Sequence, residues 1–545
     1  MFSLFRAAVT PAALALSMGA SLSISMNAHA QDYTLRILHT NDVHARVDQV
    51  TRSGSYCTPK DMTDKKCFGG YARIYSKIKD LRAGAPNVLV LDAGDRFQGS
   101  LFYTKAKGDA VKPFVNRMGY DAIIFGNHEF DDGVPEIAKF FEGLQPPLLA
   151  ANVNVDQEPS LQRRFAPSMV IEVGGQSIGI IGLVTPDTPT LASPGKVKFM
   201  PLKQTLQAEV NKMKAAKINK IIVLSHIGEA EDEKLAKTVD GVDIFVGGHS
   251  HTLLSNTDSA AEGKYPIVVK QPSGAPSLIV QAYYASIFLG HLDATFDNNG
   301  VLTKWEGNPI LLDSSVPQDV GVQAMVDEMA KPLADLRTQA VGEAKVELNG
   351  DRAVCRHVEC NLGNLIADSL LWKTKNEGTQ VAIQNGGGIR TSIPKGQITF
   401  GNVLEVLPFS NSVSTFKLTG AELLAALENG VSKAEDAKNE GTGRFAQVAG
   451  ARYTWSAKQP AGKRITKVEI RQADGSYKPL DTKASYRVVT NDFVRAGGDG
   501  YAMFKSKATD VRDGGANLED VLRDYIKSQG GSIEPKVEGR VTRAD

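Results

Sequence analysis

The chain has 545 residues, a length that suits two or three domains, each able to bury a hydrophobic core. Without residues 1–30, Lys plus Arg falls from 62 to 61 through the loss of Arg6, and Asp plus Glu stays at 61. A net charge near zero argues against a nucleic-acid polymer or an anionic membrane surface as the main partner.

Residues 1–30 have the pattern of a secretory signal peptide. Arg6 is their single charge, an apolar run covers residues 7–22, and a small-x-small cleavage signature occupies residues 28–30. The run is short and contains a proline, which argues against an uncleaved anchor, and the polar C-terminus argues against a tail anchor. We expect cleavage after Ala30, no membrane anchor, and a periplasmic or secreted location.

The four cysteines fit an oxidising compartment. They allow three disulfide connectivities, and separations of ten and five residues favour the local pairs Cys57–Cys67 and Cys355–Cys360. The same separations do not fit paired CxxC zinc sites. We therefore expect two local disulfides.

Strands and helices alternate between residues 33 and 316. Buried apolar runs predict strands at residues 35–38, 87–91, 120–125, 180–184, 221–224 and 242–246, with closing strands at 280–288 and 292–296. Apolar positions spaced for a helix predict helices at residues 70–82, after an Asp109 cap, and at residues 202–213. This alternation predicts an α/β layered domain with a largely buried sheet.

The remaining chain has a different organisation. A polar, helix-prone segment after Pro317 predicts a linker helix at residues 317–342. From residue 343 to 545 we expect a second, α+β domain. It should contain a helix at residues 361–371, a strand at residues 381–383 and a helix capped by Thr419.

Polar side chains follow five of the predicted strands in the first domain. These candidates are Asp42, His44, Asp95, Asn127, His128, His226, His249 and His251. Because the carboxyl ends of the strands face one crevice in an open α/β sheet, the side chains should converge there. Apart from His128 they are too many for one tetrahedral ion and suit two adjacent ions, with Asp95 as the bridge. Mixed nitrogen and oxygen ligands favour Zn, Mn or Co over Mg or Ca.

These motifs resemble those of the metallophosphoesterase superfamily: NDVH at residues 41–44, GD at 94–95, GNHEFD at 126–131, SH at 225–226 and GGHSH at 247–251. Residues beyond residue 343 extend the resemblance to the 5'-nucleotidase family, through CRHVECNLGN at 355–364, NGGGIR at 385–390, LPFSN at 407–411 and FVRAGGDG at 493–500. The resemblance implies a four-layer α/β/β/α catalytic domain at residues 31–316, a linker helix, and a C-terminal α+β domain that binds substrate.

The resemblance also implies roles for individual residues. One metal site would use Asp42, His44, Asp95 and His251, and the other would use Asp95, Asn127, His226 and His249. His251 departs from the Gln or Asn that relatives often carry. His128 and Asp131 would form a catalytic dyad, and Asn127 would contact metal and phosphate together. Glu129 and Asp132, which lie in the same stretch, are expected to be surface or turn residues.

In the second domain the resemblance implies a nucleotide site. Arg352, Arg356 and Arg390 would bind anionic groups, Phe409 and Phe493 would stack on the base, and Asn385, Asn411 and Asp499 would hydrogen-bond the base or ribose. The expected reaction is hydrolysis of nucleoside 5'-monophosphates. Alternatives are hydrolysis of UDP-sugars or nucleoside di- and triphosphates, 2',3'-cyclic nucleotide phosphodiesterase/3'-nucleotidase activity, and a catalytically silent binding protein. A monomer and a homodimer both stay open.

Overall fold

The computed structural model describes residues 32–435 and 442–545. The expected signal peptide lies outside these ranges. Both expected disulfides, Cys57–Cys67 and Cys355–Cys360, are formed, which confirms the predicted pairing. Among the described residues, no helix is long and apolar enough to cross a lipid bilayer.

The first sheet contains seven strands. Along its main path the order is Leu302–Gly307, Phe288–Phe296, Tyr33–Thr40, Val88–Asp92, Ala122–Ile124 and Leu148–Leu149, and Ile310–Leu311 pairs with the second of these. The last four strands of the path run parallel, and the others pair antiparallel at one side. The carboxyl ends of the parallel strands therefore lie along one edge of the sheet.

The second sheet contains six strands. Their order is Ile267–Lys270, Pro276–Val280, Ile244–Val246, Ile221–His226, Gln176–Val184 and Ser168–Val173. The four central strands are parallel, and the two edge strands are antiparallel to their neighbours. A small separate pair joins Val153–Asn154 to Lys198–Phe199.

The two sheets pack face to face between two layers of helices. Along Gln176–Val184, Ile180 lies in the core shared with the first sheet, whereas the next residue, Ile181, packs with helix Leu202–Ala215. This alternation places the strand, and the second sheet to which it belongs, between the first sheet and a helix. The first domain has these helices: Pro59–Thr63, Tyr71–Ala83, Leu101–Ala106, Lys112–Met118, Gly133–Phe141, Thr188–Leu191, Leu202–Ala215 and Glu229–Ala236. The predicted α/β/β/α layering is confirmed.

Two local predictions in this domain are wrong. The apolar run at residues 280–288 is not one strand, because its central residues connect Pro276–Val280 to Phe288–Phe296 and carry positive φ at Tyr283, Ala285 and Ser286. Asp109 does not cap the following helix. It lies within the short 3-10 turn Lys107–Ala110, and its carboxylate pairs with lysines instead.

The segment between the domains contains two helices rather than one. Val320–Ala330 begins at an Asp319 cap, a 3-10 turn follows, and Ala334–Thr338 continues the segment up to strand Ala340–Ala344. Pro332 lies in the turn, where its ring removes a backbone donor that a continuous helix would use. The domain boundaries at residues 316 and 343 stay predictions.

The second domain is α+β. Its main sheet has the order Ala446–Ala449, Val381–Asn385, Ser485–Asn491, Val413–Thr419 and Thr509–Arg512. A four-stranded sheet has the order Tyr477–Pro479, Ile465–Arg471, Ala451–Trp455 and Val541–Arg543, and a three-stranded sheet joins Gly396–Thr399, Ala340–Ala344 and Ser532–Ile533. Its helices are Arg352–Cys355, Asn361–Thr374, Phe400–Val406, Gly420–Val431, Asp492–Arg495, Ala502–Lys507 and Leu518–Ser528. Thr419 caps its helix through a reciprocal capping box with Glu422.

Polar contacts join the two domains beside their shared cavity. Ser55 Oγ lies 2.9 Å from Thr391 Oγ1, and the backbone N–H of Tyr56 donates to Glu405 at 2.9 Å. Arg46 and Glu405 form a buried ion pair with 3.7 Å between their charged atoms. The residues that directly precede the Cys57–Cys67 disulfide thus lie against the second domain.

Candidate metal centre and nucleotide cavity

The candidate metal ligands lie at or just after the carboxyl ends of parallel strands from both sheets. They fall into three groups of donor atoms that lie within 4.8 Å of one another: Asp42, His44 and His251; His44, Asp95 and His128; and Asp95, His226 and His249. Asp95 belongs to two of these groups. The convergence predicted from strand order is therefore present in three dimensions.

The backbone at this centre adopts conformations that ordinary residues rarely take. Five of the seven candidate ligands have positive φ: Asp42 at 50°, His44 at 49°, Asp95 at 54°, His249 at 76° and His251 at 58°. Such conformations cost of order 1 kcal/mol or more each and persist where the surrounding structure enforces them. Their concentration here indicates that the loops are shaped to aim side chains at one another.

Close packing adds a second constraint at Gly126. A Cβ atom at this position would lie 2.1 Å from Asp95 Oδ1 and 2.6 Å from His226 Nε2. Any side chain would therefore displace the two central candidate ligands. The glycine that begins the GNHEFD motif is required by this close approach rather than by turn geometry.

Backbone carbonyls orient two of the imidazole rings. His44 Nδ1 donates to the Phe97 carbonyl at 2.9 Å, and His226 Nδ1 donates to the Ala93 carbonyl at 2.7 Å. Because a carbonyl can only accept, each Nδ1 carries a proton and each Nε2 faces the centre, as in metal-ligating histidines. His226 Nε2 lies 3.0 Å from Asp95 Oδ2, and His251 Nε2 lies 3.0 Å from His44 Nε2.

The remaining candidate ligands have matching geometry. His251 Nε2 lies 3.3 Å from Asp42 Oδ1, so His251 is among the converging donors. Asn127 Oδ1 is buried and has no hydrogen-bond partner in the described part of the chain. An amide oxygen without a partner costs free energy unless something binds it, and a cation would do so.

The charges of the donor set also fit divalent cations. Burial raises the pKa of Asp42 to about 7, and the neighbouring Asp95 adds to the increase although His226 opposes it. Burial and nearby positive charges put the pKa values of His44, His249 and His251 well below the ordinary value, which favours the neutral, ligating form. Burial would lower the pKa of His226, but Asp95 outweighs it and raises the pKa to about 10, so coordination would displace this proton.

Glu129 is a residue beside the candidate metal ligands whose environment differs from the sequence-based expectation. It is fully buried, and its carboxylate accepts backbone hydrogen bonds from Gly126 at 2.6 Å, Arg96 at 2.7 Å and Asp95 at 3.3 Å. It therefore ties the turn carrying Asn127 to the loop carrying Asp95. The expectation of a surface or turn residue is wrong for its exposure, although Glu129 does lie in the short 3-10 turn His128–Phe130.

His128 and Asp131 form a tight pair above the metal centre. His128 Nδ1 lies 2.6 Å from Asp131 Oδ2, and the His128 backbone N–H donates to Asp95 Oδ1 at 2.9 Å. Burial would lower the pKa of His128, but the charges of Asp131 and Asp95 outweigh it and raise the pKa. Nε2 of a protonated His128 is left to donate toward the cavity. Asp132, by contrast, is partly exposed and accepts a hydrogen bond from Tyr103.

A cavity of about 830 Å³ lies between the two domains. It brings together most of the predicted residues of both: Asp95, Asn127, His128, Asp131, His249, His251, Arg352, Arg356, Asn385, Arg390, Phe409, Asn411, Phe493 and Asp499. The other predicted residues, Asp42, His44 and His226, are buried within the same metal centre. Metal-type and nucleotide-type side chains therefore share one cavity.

Two arginines from the second domain reach the metal centre. Arg390 Nη2 lies 3.4 Å from His44 Nε2, and Arg352 Nη1 donates to the His249 carbonyl at 3.4 Å. The Arg352–Cys355 helix and Arg356 are fixed by the adjoining Cys355–Cys360 disulfide. Guanidinium groups beside a candidate site for divalent cations can bind the oxygens of a phosphate through charge-assisted hydrogen bonds.

The two phenylalanines lie on the cavity wall. The Phe409 ring stacks at 5.9 Å from the His128 ring, and the Arg390 guanidinium lies 5.5 Å from its centroid. Phe493 packs on Gly498, where a Cβ atom would lie 2.5 Å from the ring. Both rings are partly exposed to the cavity, which leaves them surface to offer a flat ligand.

Asn385 and Asp499 are linked. The Asn385 amide donates to Asp499 Oδ2 at 2.7 Å and accepts from Asn491 at 2.9 Å and Gln384 at 3.1 Å. Asn385 therefore uses its side chain to position Asp499, whose backbone has a positive φ of 53°. Of this pair, Asp499 is the better placed to bond a ligand.

Two family models match the chain in succession. The calcineurin-like phosphoesterase model matches residues 35–253, and the 5'-nucleotidase C-terminal domain model matches residues 340–506. The snake venom 5'-nucleotidase of Gloydius brevicauda is 36% identical over 558 aligned positions, which cover 98% of this chain and 93% of that protein. The 5'-nucleotidase of Homo sapiens is 36% identical, with coverage of 98% of this chain and 95% of that protein.

A solved structure agrees with these matches. The 5'-nucleotidase precursor from Thermus thermophilus is 43% identical and superposes with a TM-score of 0.88, covering 94% of this chain and 99% of that chain. The likeness thus extends through both domains and through the cavity between them. The chain belongs to the 5'-nucleotidase family, with a calcineurin-like phosphoesterase domain followed by a 5'-nucleotidase C-terminal domain.

Proposed function

We propose that this protein hydrolyses nucleoside 5'-monophosphates, AMP among them, to nucleoside and phosphate with two divalent metal ions. The observation that carries the proposal is the shared cavity, in which the His128–Asp131 pair lies between metal-type donors and side chains suited to a nucleotide. The 5'-nucleotidase names of the full-length relatives support the same substrate class.

The donor set fits two adjacent ions. One would be held by Asp42, His44, Asp95 and His251, and the other by Asp95, Asn127, His226 and His249. Asp95 is the shared ligand in this assignment, which agrees with its membership of two donor groups. When bound, such ions neutralise the charge on phosphate oxygens. They also lower the pKa of water, so that a hydroxide nucleophile is available near neutral pH to attack phosphorus. The nitrogen-rich set favours Zn, Mn or Co.

The side chains around this centre would orient the substrate and move a proton. Arg352, Arg356 and Arg390 would bind phosphate oxygens, and Asn127 would contact the same group. His128 would donate from Nε2 to the departing 5'-oxygen, where negative charge develops. Asp131 keeps His128 in the required orientation through Nδ1.

The second domain would select the nucleoside. Phe409 and Phe493 would stack on the base, an interaction worth roughly 1–3 kcal/mol per base and tolerant of base identity. Asp499, positioned by Asn385, would accept from ribose hydroxyls. We also propose export to the periplasm or the outside of the cell. The two disulfides support this location because they persist in oxidising compartments.

Phosphate release from AMP, measured with and without a chelator and after adding back Zn, Mn, Co, Mg or Ca, tests the proposal. We expect activity to disappear with chelator and to return with Mn, Co or Zn. ATP, UDP-glucose and 2',3'-cyclic AMP should have lower kcat/KM than AMP. His226→Ala should abolish activity, whereas His291→Ala, a half-buried position on strand Phe288–Phe296 outside the donor groups, should retain it. No metal-dependent phosphate from any nucleotide would contradict the proposal.

A further inference from the structure

Asn411 lies in the cavity wall two residues after Phe409, and its backbone is fixed. Its carbonyl accepts from the Leu518 backbone N–H at 2.9 Å, and the neighbouring Val413 N–H donates to the Ala516 carbonyl at 3.0 Å. The side chain therefore projects from a rigid position beside a proposed base-stacking ring. What it offers a base depends on the orientation of its amide.

Asp492 determines that orientation. Asp492 Oδ1 accepts from Asn411 Nδ2 at 2.8 Å and from the Phe493 backbone N–H at 2.8 Å, and Oδ2 accepts from Ser412 Oγ at 2.9 Å. A carboxylate can only accept, so the amide nitrogen of Asn411 must face Asp492. Within residues 32–435 and 442–545, Asn411 Oδ1 receives no hydrogen bond in return.

We propose that Asp492 is a positioning residue for base recognition, because it fixes the orientation of the Asn411 amide and so presents Oδ1 to the base as a hydrogen-bond acceptor. This inference rests on the proposed nucleotidase function and names the feature of the substrate that the site requires. A rotating amide could pair as donor and acceptor at once, as Asn does with adenine in other settings. Here one N–H of the amide is bound to Asp492, which prevents the amide from flipping, and a base that pairs with Oδ1 must supply an N–H group.

The requirement has a simple chemical consequence. Adenine and cytosine carry an exocyclic amino group on the Watson–Crick edge, and hypoxanthine, guanine and uracil carry a ring N–H there. Because a base stacked between two rings can shift within its plane, one acceptor can serve each of them. The site should therefore tolerate the natural bases and reject a base that lacks any N–H on that edge.

The experiment compares AMP with purine riboside 5'-monophosphate, which differs only by loss of the 6-amino group. We expect kcat/KM to be about tenfold higher for AMP than for purine riboside 5'-monophosphate. The difference should lie in KM and not in kcat, because the hydrogen bond exists both before and during the reaction. IMP, which has a ring N–H, should stay within about threefold of AMP. Equal kcat/KM for AMP and purine riboside monophosphate in the wild-type protein would overturn the inference.

Variants distinguish an action of Asp492 through the Asn411 amide from a general effect on the structure of the cavity wall. Asp492→Ala frees the amide, which can then donate to the ring nitrogen of purine riboside, and the AMP preference should fall toward one. Ser412→Ala is the matched control, since it removes the other Asp492 side-chain partner and should keep the wild-type preference. In an Asn411→Ala background, Asp492→Ala should change the preference no further. A further change there would contradict action through Asn411.

Folding of the Asp492 variant has independent support. The helix Asp492–Arg495 is capped by Asn491, whose side chain accepts from the Val494 N–H, so Asp492 is not its cap. Asp492→Ser provides a second variant that can still accept from Phe493 but is too short to reach Asn411, and it should also lose the preference. Absence of phosphate from both nucleotides in the metal-loaded wild type would sink the proposed function itself, which distinguishes the two failures.

Discussion

One buried carboxylate organises the loops of the metal centre at the scale of single residues. Glu129 accepts three backbone N–H groups, and Arg96 lies between it and Asp92, 3.6 Å from Glu129 and 2.5 Å from Asp92. Such a desolvated charge network costs free energy to assemble, and the opposite charges of its members offset part of that cost. Glu129 thereby joins the Asn127 turn to the Asp95 loop.

His128→Ala tests the division of roles within that turn. The substitution removes the proposed proton donor, and kcat should fall by about 10²–10⁴-fold, the usual contribution of a general acid. The candidate metal ligands remain, so metal content measured by elemental analysis should stay near two ions per chain. Loss of both ions together with activity would show that His128 is instead part of the metal centre.

The candidate metal residues could be predicted from the sequence because each follows a strand end within a few residues along the chain. Strands were recognisable as apolar runs, and each strand ends where its run stops. Parallel strands bring their carboxyl ends together whatever the details of packing. The exposure of Glu129 could not be predicted in this way, since it depends on a neighbouring loop that approaches from another strand. The orientation of Asn411 likewise depends on Asp492, which lies 81 residues away in the chain.

At the scale of elements, the helix Leu518–Ser528 carries a titratable group in an unfavourable position. Glu519 is buried in its first turn behind Phe409 and Asn411, and Oε2 has no hydrogen-bond partner in the described part of the chain. Burial raises its pKa to about 7, and the nearby acidic Asp520 and Asp492 add to the increase while Arg523 opposes it.

This pKa predicts a pH-dependent loss of stability. Between about pH 4.5, the ordinary value, and about pH 7 the folded state keeps a proton that the unfolded state releases, so stability falls as pH rises. Glu519→Gln removes this term and should gain ~2 kcal/mol over wild type at pH 8, after allowance for solvent screening, and almost nothing at pH 4. Chemical denaturation of both proteins across this range measures the difference. A gain that is constant with pH would contradict the titration of Glu519.

Element prediction failed where backbone conformation overrides hydrophobicity. Residues 280–288 are apolar enough for a strand, but positive φ at three positions turns the chain, and it contacts the metal loops. The Ala285 N–H donates to the Asp42 carbonyl and thereby supports a candidate ligand. Asp109 is not the cap because the helix begins at Lys112, with Pro113 in its first turn and Val111 at the cap position.

At the scale of the whole molecule, the two domains meet in a closed arrangement. Phe409 lies against His128, and Arg390 reaches His44 across the domain boundary. A cavity formed in this way can exclude water from the reaction but also encloses the products. Nucleoside release should therefore require the domains to separate, with the segment at residues 317–342 as the proposed hinge.

A disulfide across the boundary tests this motion. The Ser55 and Thr391 oxygens are 2.9 Å apart, so Ser55→Cys with Thr391→Cys should cross-link the closed form. We expect the oxidised double variant to lose about tenfold or more in kcat while one turnover still forms phosphate, because release rather than chemistry is blocked. Steady-state and single-turnover phosphate assays measure the two quantities.

Each single-cysteine variant, treated with the same oxidant and reductant, controls for the native disulfides. Unchanged turnover in the cross-linked protein would show that the cavity exchanges its contents without opening at this contact.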